Sequence, residues 1–470
     1  MAGPGQRPAV TFVPDADFLR LKRHIIGRTG HFYYEDKDAL LWDRLKRRFH
    51  ETGLAGSGAY LRRLEDAVQG EAEWEALEAE ITIGETFFFR YAEQFAALRR
   101  TILPDLLKRR GETRQLRVWS AGCANGAEPY SLAILLGDLL SETLPDWRVF
   151  LLGTDLNEAA LRQARQAVFS RWTLRGHPAD ALERDFLAVD AGRRWALRPQ
   201  HRALVRFRRH NLLSLLEDDT PLELNDFDLI LCRNVLIYFH PEVVERVVRA
   251  LAGRLRDGGW LLLGHAEPNP AFASFLEVVE LPGTIAYRRA GTGSGPAQAP
   301  AAPPLPSTEP PARADAPRRL AAKVPARKPE PTAREVPQRP AQWLATARAA
   351  ADRDDLAAAA EACRAGLVAR PEDAALHYMD GLVQRAQGRS REAEAAFRRA
   401  LYLRGDFAMA HYQLGLLLLD EGRRTGGRRA LAAAARIAMA LPGGMPVEEG
   451  DGMTARQLRA GVRLQLEGPG

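Results

Sequence analysis

The sequence predicts a Rossmann-like α/β domain between two helical blocks, the second attached through a disordered linker. Three observations carry this expectation. Short apolar runs at 116–120, 149–154, 204–207, 227–231 and 260–263 alternate with helical segments, the sequence form of a doubly wound sheet with buried strands. Upstream, over 15–107, apolar residues fall at helical spacing, as in Phe18, Leu19, Ile25 and Ile26, and strand-like runs are few. Downstream, a pattern recurs at an offset of 34 residues: His377-Tyr378 returns as His411-Tyr412, Gly381-Leu382 as Gly415-Leu416, and Ala396 and Ala400 as Ala430 and Ala434.

In order, 15–107 reads as a small helical domain and 108–290 as the α/β domain. The stretch 291–340 holds 13 of the chain's 30 prolines, with Gly and Ala making up much of the rest. Such a segment cannot bury enough apolar surface to offset its ordering entropy and reads as a linker. The block 341–468 resembles tetratricopeptide repeats, which share this period and place a small residue where paired helices approach closely. A fainter copy one period earlier, with Trp343, Ala347, Ala359 and Cys363, gives about three repeats. With a capping helix near 454–466 they meet the minimum for a stable stack.

Composition narrows the function. A chain of 470 residues exceeds one hydrophobic core, and 46% apolar with 27% charged residues is ordinary for a globular protein. Lys plus Arg number 66 against 60 Asp plus Glu, and a net charge of +6 argues against a dedicated nucleic-acid binder. Residues 1–14 lack the apolar core of a secretory signal and no apolar run could span a bilayer, so a cytoplasmic location without membrane insertion is expected. Cys123, Cys232 and Cys363 lie far apart and suggest neither a disulfide framework nor a metal site.

The ligand signals sit at strand ends. The first strand runs into Ala121-Gly122-Cys123-Ala124-Asn125-Gly126 and then a helix, so a ligand can lie against bare backbone near unpaired N–H groups. The second strand ends at Asp155, where a carboxylate can accept both ribose hydroxyls of an adenosine. The glycine loop is not the dinucleotide GxGxxG, and a looser loop suits S-adenosylmethionine, which has no pyrophosphate. After the third strand comes Asn211-Leu212, whose amide can match an adenine edge. After the fourth comes an unusual Arg233-Asn234 pair ahead of an aromatic turn.

Together with Glu85-Thr86-Phe87-Phe88-Phe89-Arg90, Glu128-Pro129-Tyr130-Ser131, Val235-Leu236-Ile237-Tyr238-Phe239 and Gly264-His265-Ala266-Glu267, these motifs resemble the CheR family of chemotaxis-receptor protein-glutamate O-methyltransferases, over about 15–289. The resemblance implies a class I methyltransferase fold with a small β-subdomain inserted at about 168–205. It implies S-adenosylmethionine as cofactor, lined by Thr86, Arg90, Glu128, Asp155, Asn211, Leu212, Arg233 and Asn234, with Arg90 and Tyr238 nearest the transferred methyl. The implied protein substrate is the cytoplasmic domain of a methyl-accepting chemoreceptor. One departure stands out: Gly84 occupies a position where the family usually has Asn. The repeat tail is similar to that of WspC-type members and implies a signalling protein as its ligand.

A glutamate nucleophile, with a reference pKa of about 4.3, is already ionised at neutral pH, so the chemistry calls for alignment and water exclusion rather than a strong base. Arg90 can steer the carboxylate by a charge-assisted hydrogen bond and Tyr238 can place it more lightly. Lys22-Arg23, Lys46-Arg47-Arg48 and Lys108-Arg109-Arg110 make the helical block locally basic, suited to an acidic receptor helix. Two other functions compete. A nucleic-acid or small-molecule methyltransferase shares the fold, but base methylases usually carry Asn or Asp followed by two prolines where this chain has Arg233-Asn234-Val235. A non-catalytic repeat scaffold leaves the polar residues of the α/β domain unexplained. Because the linker fixes no orientation, the tail is expected to recruit or regulate, and a fragment ending near Gly291 to retain the chemistry.

Overall fold

The computed structural model describes residues 14–175, 177, 181–217, 222–291, 340–353, 355–450 and 453–467; the linker expected over 291–340 lies outside them except for its two end residues. Four helices, α1 (Ala16–Thr29), α2 (Asp38–Thr52), α3 (Ser57–Leu64) and α4 (Gly70–Ile81), enclose a core of their own that includes Phe18, Leu45, Phe49, Tyr60 and Leu77. Asp15 starts α1 by accepting the Phe18 N–H at 2.8 Å, and Gly30, at φ 77°, ends it in the left-handed conformation. Part of the expected basic surface is spent inside this block. Buried Lys22 donates to the Glu35 carbonyl and to Asp38 at 2.9 Å, and Arg48 donates to Glu73 at 2.9 and 3.0 Å.

Two further helices, α5 (Ala92–Ala97) and α6 (Leu103–Arg109), were expected to belong to the same block. Instead Phe95, Leu98, Ile102, Leu103 and Leu106 are buried with Leu116, Val118, Leu229 and Leu262 of the sheet. Helical periodicity identifies an apolar stripe but not the surface that covers it, so the helical block ends about where α4 does.

The α/β domain follows, with β1 (Gln115–Ala121), α7 (Ala127–Leu140), β2 (Arg148–Asp155), α8 (Glu158–Gln166), β3 (Val168–Ser170), α9 (Leu182–Asp185), β4 (Phe186–Val189), β5 (Arg194–Leu197), α10 (Pro199–Arg202), β6 (Val205–Arg209), β7 (Phe227–Cys232), α11 (Pro241–Gly253), β8 (Leu255–Leu263), β9 (Glu277–Leu281) and β10 (Thr284–Arg288). The seven-stranded sheet has the order β6-β2-β1-β7-β8-β10-β9, parallel from β6 to β8 and antiparallel at β10 and β9. Every residue of β7 is buried, as befits a central strand packed on both faces. The last two strands were not anticipated. In the insert, β3, β5 and β4 form a separate antiparallel sheet, and Val205, which the resemblance put at its end, begins β6 instead. The strand order reverses between β1 and β7, so the loops after them diverge and open a crevice at the carboxyl edge of the sheet.

The C-terminal block is three antiparallel helix pairs, α12 (Pro340–Asp352) with α13 (Leu356–Ala369), α14 (Ala374–Ala386) with α15 (Ser390–Leu403), and α16 (Ala408–Asp420) with α17 (Arg424–Met439), closed by α18 (Ala455–Glu467). The repeated glycines show why the period exists: a Cβ on Gly381 would lie 2.6 Å from the Phe397 ring, and one on Gly415 would lie 2.7 Å from Leu431. The linker left the orientation of this block open; in the structure it is docked. Trp172 of the insert is buried among Ala347, Ala350, Ala351 and Cys363, and Gln457 of α18 hydrogen-bonds the His265 ring. No helix among the described residues is long and apolar enough to cross a membrane.

Candidate functional site

The crevice is a cleft that encloses about 900 Å³ of space, its opening to solvent included. All nine residues singled out from the sequence line it: Thr86, Arg90, Glu128, Asp155, Asn211, Leu212, Arg233, Asn234 and Tyr238. They come from four strand ends and from the extended segment joining α4 to α5, far apart in sequence and assembled only by the sheet.

Their hydrogen bonds divide them into residues that build the cleft and residues that face it. Arg233 builds. Its Nε donates to Gln94 Oε1 at 2.6 Å, its Nη1 to Glu128 Oε2 at 2.7 Å and its Nη2 to the Arg90 carbonyl, and only 2% of the side chain is exposed. Three of five donors are thus committed to protein, which makes this cation a bracket beneath the floor. Glu128 completes the bracket by accepting the Ser120 hydroxyl at 2.7 Å. Asn211 is partly committed: Oδ1 accepts the Leu213 N–H at 3.1 Å and Nδ2 donates to the Arg28 carbonyl at 2.7 Å. One N–H and one lone pair remain for a ligand, and the amide that the sequence suggested for adenine also latches the N-terminal helices to the sheet.

Asp155 faces the cleft. Its oxygens accept the backbone N–H groups of Ala124 and Asn157, each at 2.8 Å, which ties the loop after β1 to the end of β2. Burial pushes this carboxyl up, and the backbone N–H groups of Asn157, Ala124 and Leu156 pull it partly back. Each oxygen keeps a lone pair for a hydroxyl. Asn234 sits at φ 60°, donates Nδ2 to Tyr91 Oη at 3.1 Å and leaves Oδ1 buried without a hydrogen-bond partner among the described residues. Gly122, at φ 77°, lies so close to Val235 that a Cβ would come within 2.3 Å of it. Gly84 also lines the cleft, and a Cβ there would meet nothing within 4 Å.

Arg90 donates Nη1 to the Glu85 carbonyl at 2.7 Å and lies over the Tyr91 ring at 5.2 Å. Burial raises the Tyr238 phenol well above its ordinary value despite nearby Arg90, so it stays a neutral donor at physiological pH.

Three contributors escaped the sequence. Glu267 belongs to a quoted motif but had no role. Buried, it accepts the N–H groups of Gly264, Asn234, Val235 and Leu236 at 2.5–3.0 Å, so one carboxylate folds the loop that carries Arg233, Asn234 and Tyr238. A glutamate just after a strand gives no sign that it will cap another strand's loop. His31 and Thr29, from the end of α1, form the opposite wall. Burial lowers His31 to about 4, leaving the ring neutral at physiological pH. No spacing relates α1 to the sheet, so this wall could not be read in advance.

The lining suits S-adenosylmethionine. The spare oxygens of Asp155 match ribose hydroxyls, and the orphaned Asn234 Oδ1 is an acceptor for an ammonium or amino N–H. When bound, this cofactor supplies a methyl group on a sulfonium. The chain's own part is the rigid hydrogen-bonded frame of Arg233, Glu128 and Glu267 beside the cleft.

Comparison with known proteins agrees with this geometry. Residues 84–283 match the family description "CheR methyltransferase, SAM binding domain", and 16–82 match "CheR methyltransferase, all-alpha domain". Among similar proteins is the chemotaxis protein methyltransferase 1 of Pseudomonas aeruginosa, 32% identical over 277 residues, covering 58% of this chain and 98% of that protein. The chemotaxis protein methyltransferase of Escherichia coli is 33% identical over 261 residues, covering 54% of this chain and 84% of that one. The probable biofilm formation methyltransferase WspC of P. aeruginosa is 31% identical over 438 residues, covering 89% of this chain and 98% of its own. With both domains matched and one relative aligned across the repeats as well, this chain belongs to the CheR methyltransferase family and uses S-adenosylmethionine.

Proposed function

We propose that the protein transfers the methyl group of S-adenosylmethionine to glutamate side chains on the cytoplasmic domain of a methyl-accepting chemoreceptor, giving methyl esters, and that its repeats hold a signalling protein. The observation that carries this is the kind of group that lines the cleft. Arg90 and Tyr238 are donors suited to a carboxylate, while His31, at about 4, is too weak a base at neutral pH to activate an alcohol. Glu128 and Glu267 are tied up in hydrogen bonds, and Asp155 is reserved for the cofactor. A nucleophile that arrives ionised fits such a site, and the glutamate carboxylate is one. Arg90 and Tyr238 would hold the carboxylate in line with the sulfonium carbon without shielding the attacking oxygen. Asp155, Thr86, Asn211, Leu212 and Asn234 would hold the cofactor.

The test is incubation with labelled S-adenosylmethionine and receptor cytoplasmic domains. Label on the receptor should be released by alkali, as an ester is, and label stable to alkali on protein or nucleic acid would overturn the proposal. Arg90→Ala and Tyr238→Phe should lower transfer at least tenfold more than they lower cofactor affinity.

A further inference from the structure

Tyr238 lies in a single 3-10 turn, Leu236–Tyr238, too short to fix the orientation of a side chain by itself. The rings that touch it come from the other domain. His31 stacks on the Tyr238 ring at 5.8 Å between centroids and 26° between planes, and Tyr33 meets it edge-on at 5.7 Å and 88°. Alongside, Phe32 meets His240 edge-on at 4.5 Å and 87°.

The turn that delivers these rings is itself well held. Gly30 lets the chain reverse against Phe239, whose ring a Cβ at that position would approach to 2.7 Å. The His31 N–H reaches Thr29 Oγ1 at 3.3 Å, and the Thr29 hydroxyl donates to the Ile25 carbonyl at 2.8 Å. Lys37 lies 4.3 Å over the Tyr33 ring and donates to the Tyr33 carbonyl at 3.2 Å. Tyr34, next in sequence, is fully buried and donates to the Ile81 carbonyl at 2.7 Å, which roots the turn in the helical domain.

We propose that His31 and Tyr33 are positioning residues, a two-ring clamp through which the N-terminal helical domain fixes Tyr238 for methyl transfer. The clamp rests on the function proposed above, in which Tyr238 orients the substrate carboxylate. A stacked ring opposes tilting of its neighbour, and an edge-on ring opposes sliding, so the pair restricts motions that neither restricts alone. The N-terminal domain then completes the active site instead of serving only as a surface for the receptor.

The test uses the full chain with two paired variants: His31→Ala with Tyr33→Ala, which removes both rings, and His31→Phe with Tyr33→Phe, which keeps them. The alanine pair should lower kcat at saturating receptor tenfold or more, with at least a threefold smaller loss of S-adenosylmethionine affinity, and the phenylalanine pair should restore kcat to within threefold of wild type. Added to Tyr238→Phe, the alanine pair should cost less than a further twofold, because the clamp acts through the phenol. A full additional loss in that background, an equal loss of cofactor affinity, or an equally impaired phenylalanine pair would overturn the clamp.

A second readout needs no substrate. With 3-fluorotyrosine incorporated, the fluorine signal of Tyr238, identified by its absence in Tyr238→Phe, should report slow ring flipping in wild type and the phenylalanine pair and fast flipping in the alanine pair. Equal flipping in all three would overturn the clamp even where transfer is normal. Absence of transfer to any receptor by wild type, with the flipping difference present, would sink the proposed function and leave the clamp standing.

Discussion

The two helical blocks touch the α/β domain in opposite ways. The N-terminal block meets it through charge and aromatic rings. Arg209 of β6 donates to Glu71 at 2.9 Å and to buried Glu78 at 2.6 Å, Arg162 pairs with Glu75 at 2.5 Å, Asn211 holds the Arg28 carbonyl, and His31 and Tyr33 bracket Tyr238. The repeat block meets it through small apolar residues packed on Trp172 and through Gln457 on His265. His265 in turn faces Glu93 at 2.5 Å and touches the Tyr91 ring, on the far side of the segment that carries Arg90. One interface thus reaches a residue assigned to the chemistry directly, and the other stops behind it. The first should be inseparable from catalysis and costly to break, the second separable at small cost.

The largest expected effect lies at the first interface. Arg209→Ala would leave Glu78, with 1% of its side chain exposed, with only the more distant Arg28 at 3.7 Å, and should destabilise the chain by about 3 kcal/mol in denaturant unfolding, near the low end for breaking a buried pair. A loss below about 1 kcal/mol would erase the contrast between the two interfaces.

Next comes the cleft between them. Asp155→Ala should weaken S-adenosylmethionine binding at least tenfold, about 1.4 kcal/mol, because the proposed ribose contact and the tie to Ala124 go together. Unchanged calorimetric affinity would remove Asp155 from the site.

A pH series sharpens the same comparison. Burial raises the Glu78 carboxyl above its ordinary range, with Arg209 opposing. A folded value above the unfolded one means that stability from this group is fully present below the unfolded value and is lost as pH rises through the folded one. Relative to Glu78→Gln, wild type should therefore gain stability on acidification from neutrality toward about pH 4, and a gain on alkalinisation would show that the Arg209 pair dominates.

The smallest effect belongs to the repeats. Gln457→Ala should cost about 0.5–1.5 kcal/mol, one hydrogen bond, and leave cofactor affinity within twofold. A fragment ending at Gly291 should likewise bind cofactor within about threefold of wild type, and tenfold weaker binding would mean that the His265–Glu93 layer needs the tail.

The sequence by itself determined the elements and the chemistry they could carry. Apolar runs marked the five parallel strands, the 34-residue offset marked the repeats, residue types at strand ends picked out Asp155, Asn211, Arg233 and Asn234, and the family resemblance added Thr86, Arg90, Glu128, Leu212 and Tyr238; one cleft collects all nine. Those signals are local: a period shows which face is apolar, and a strand end shows where a loop must begin. What covers each face and whom each polar group meets are long-range matters that no spacing encodes. The helices after α4 had the right periodicity but packed on the sheet, because Phe95 and Leu103 fill a gap above Leu116 and Val118. Arg233 had the residue type of a ligand contact, and the fold gave three of its five donors to Gln94, Glu128 and the Arg90 carbonyl. Glu267, His31 and Tyr33 gained their places only when two distant segments closed on one loop. The linker allowed any placement of the repeats, and the buried face of Trp172 and the amide of Gln457 selected one, because packing energy accrues only where complementary surfaces meet in space.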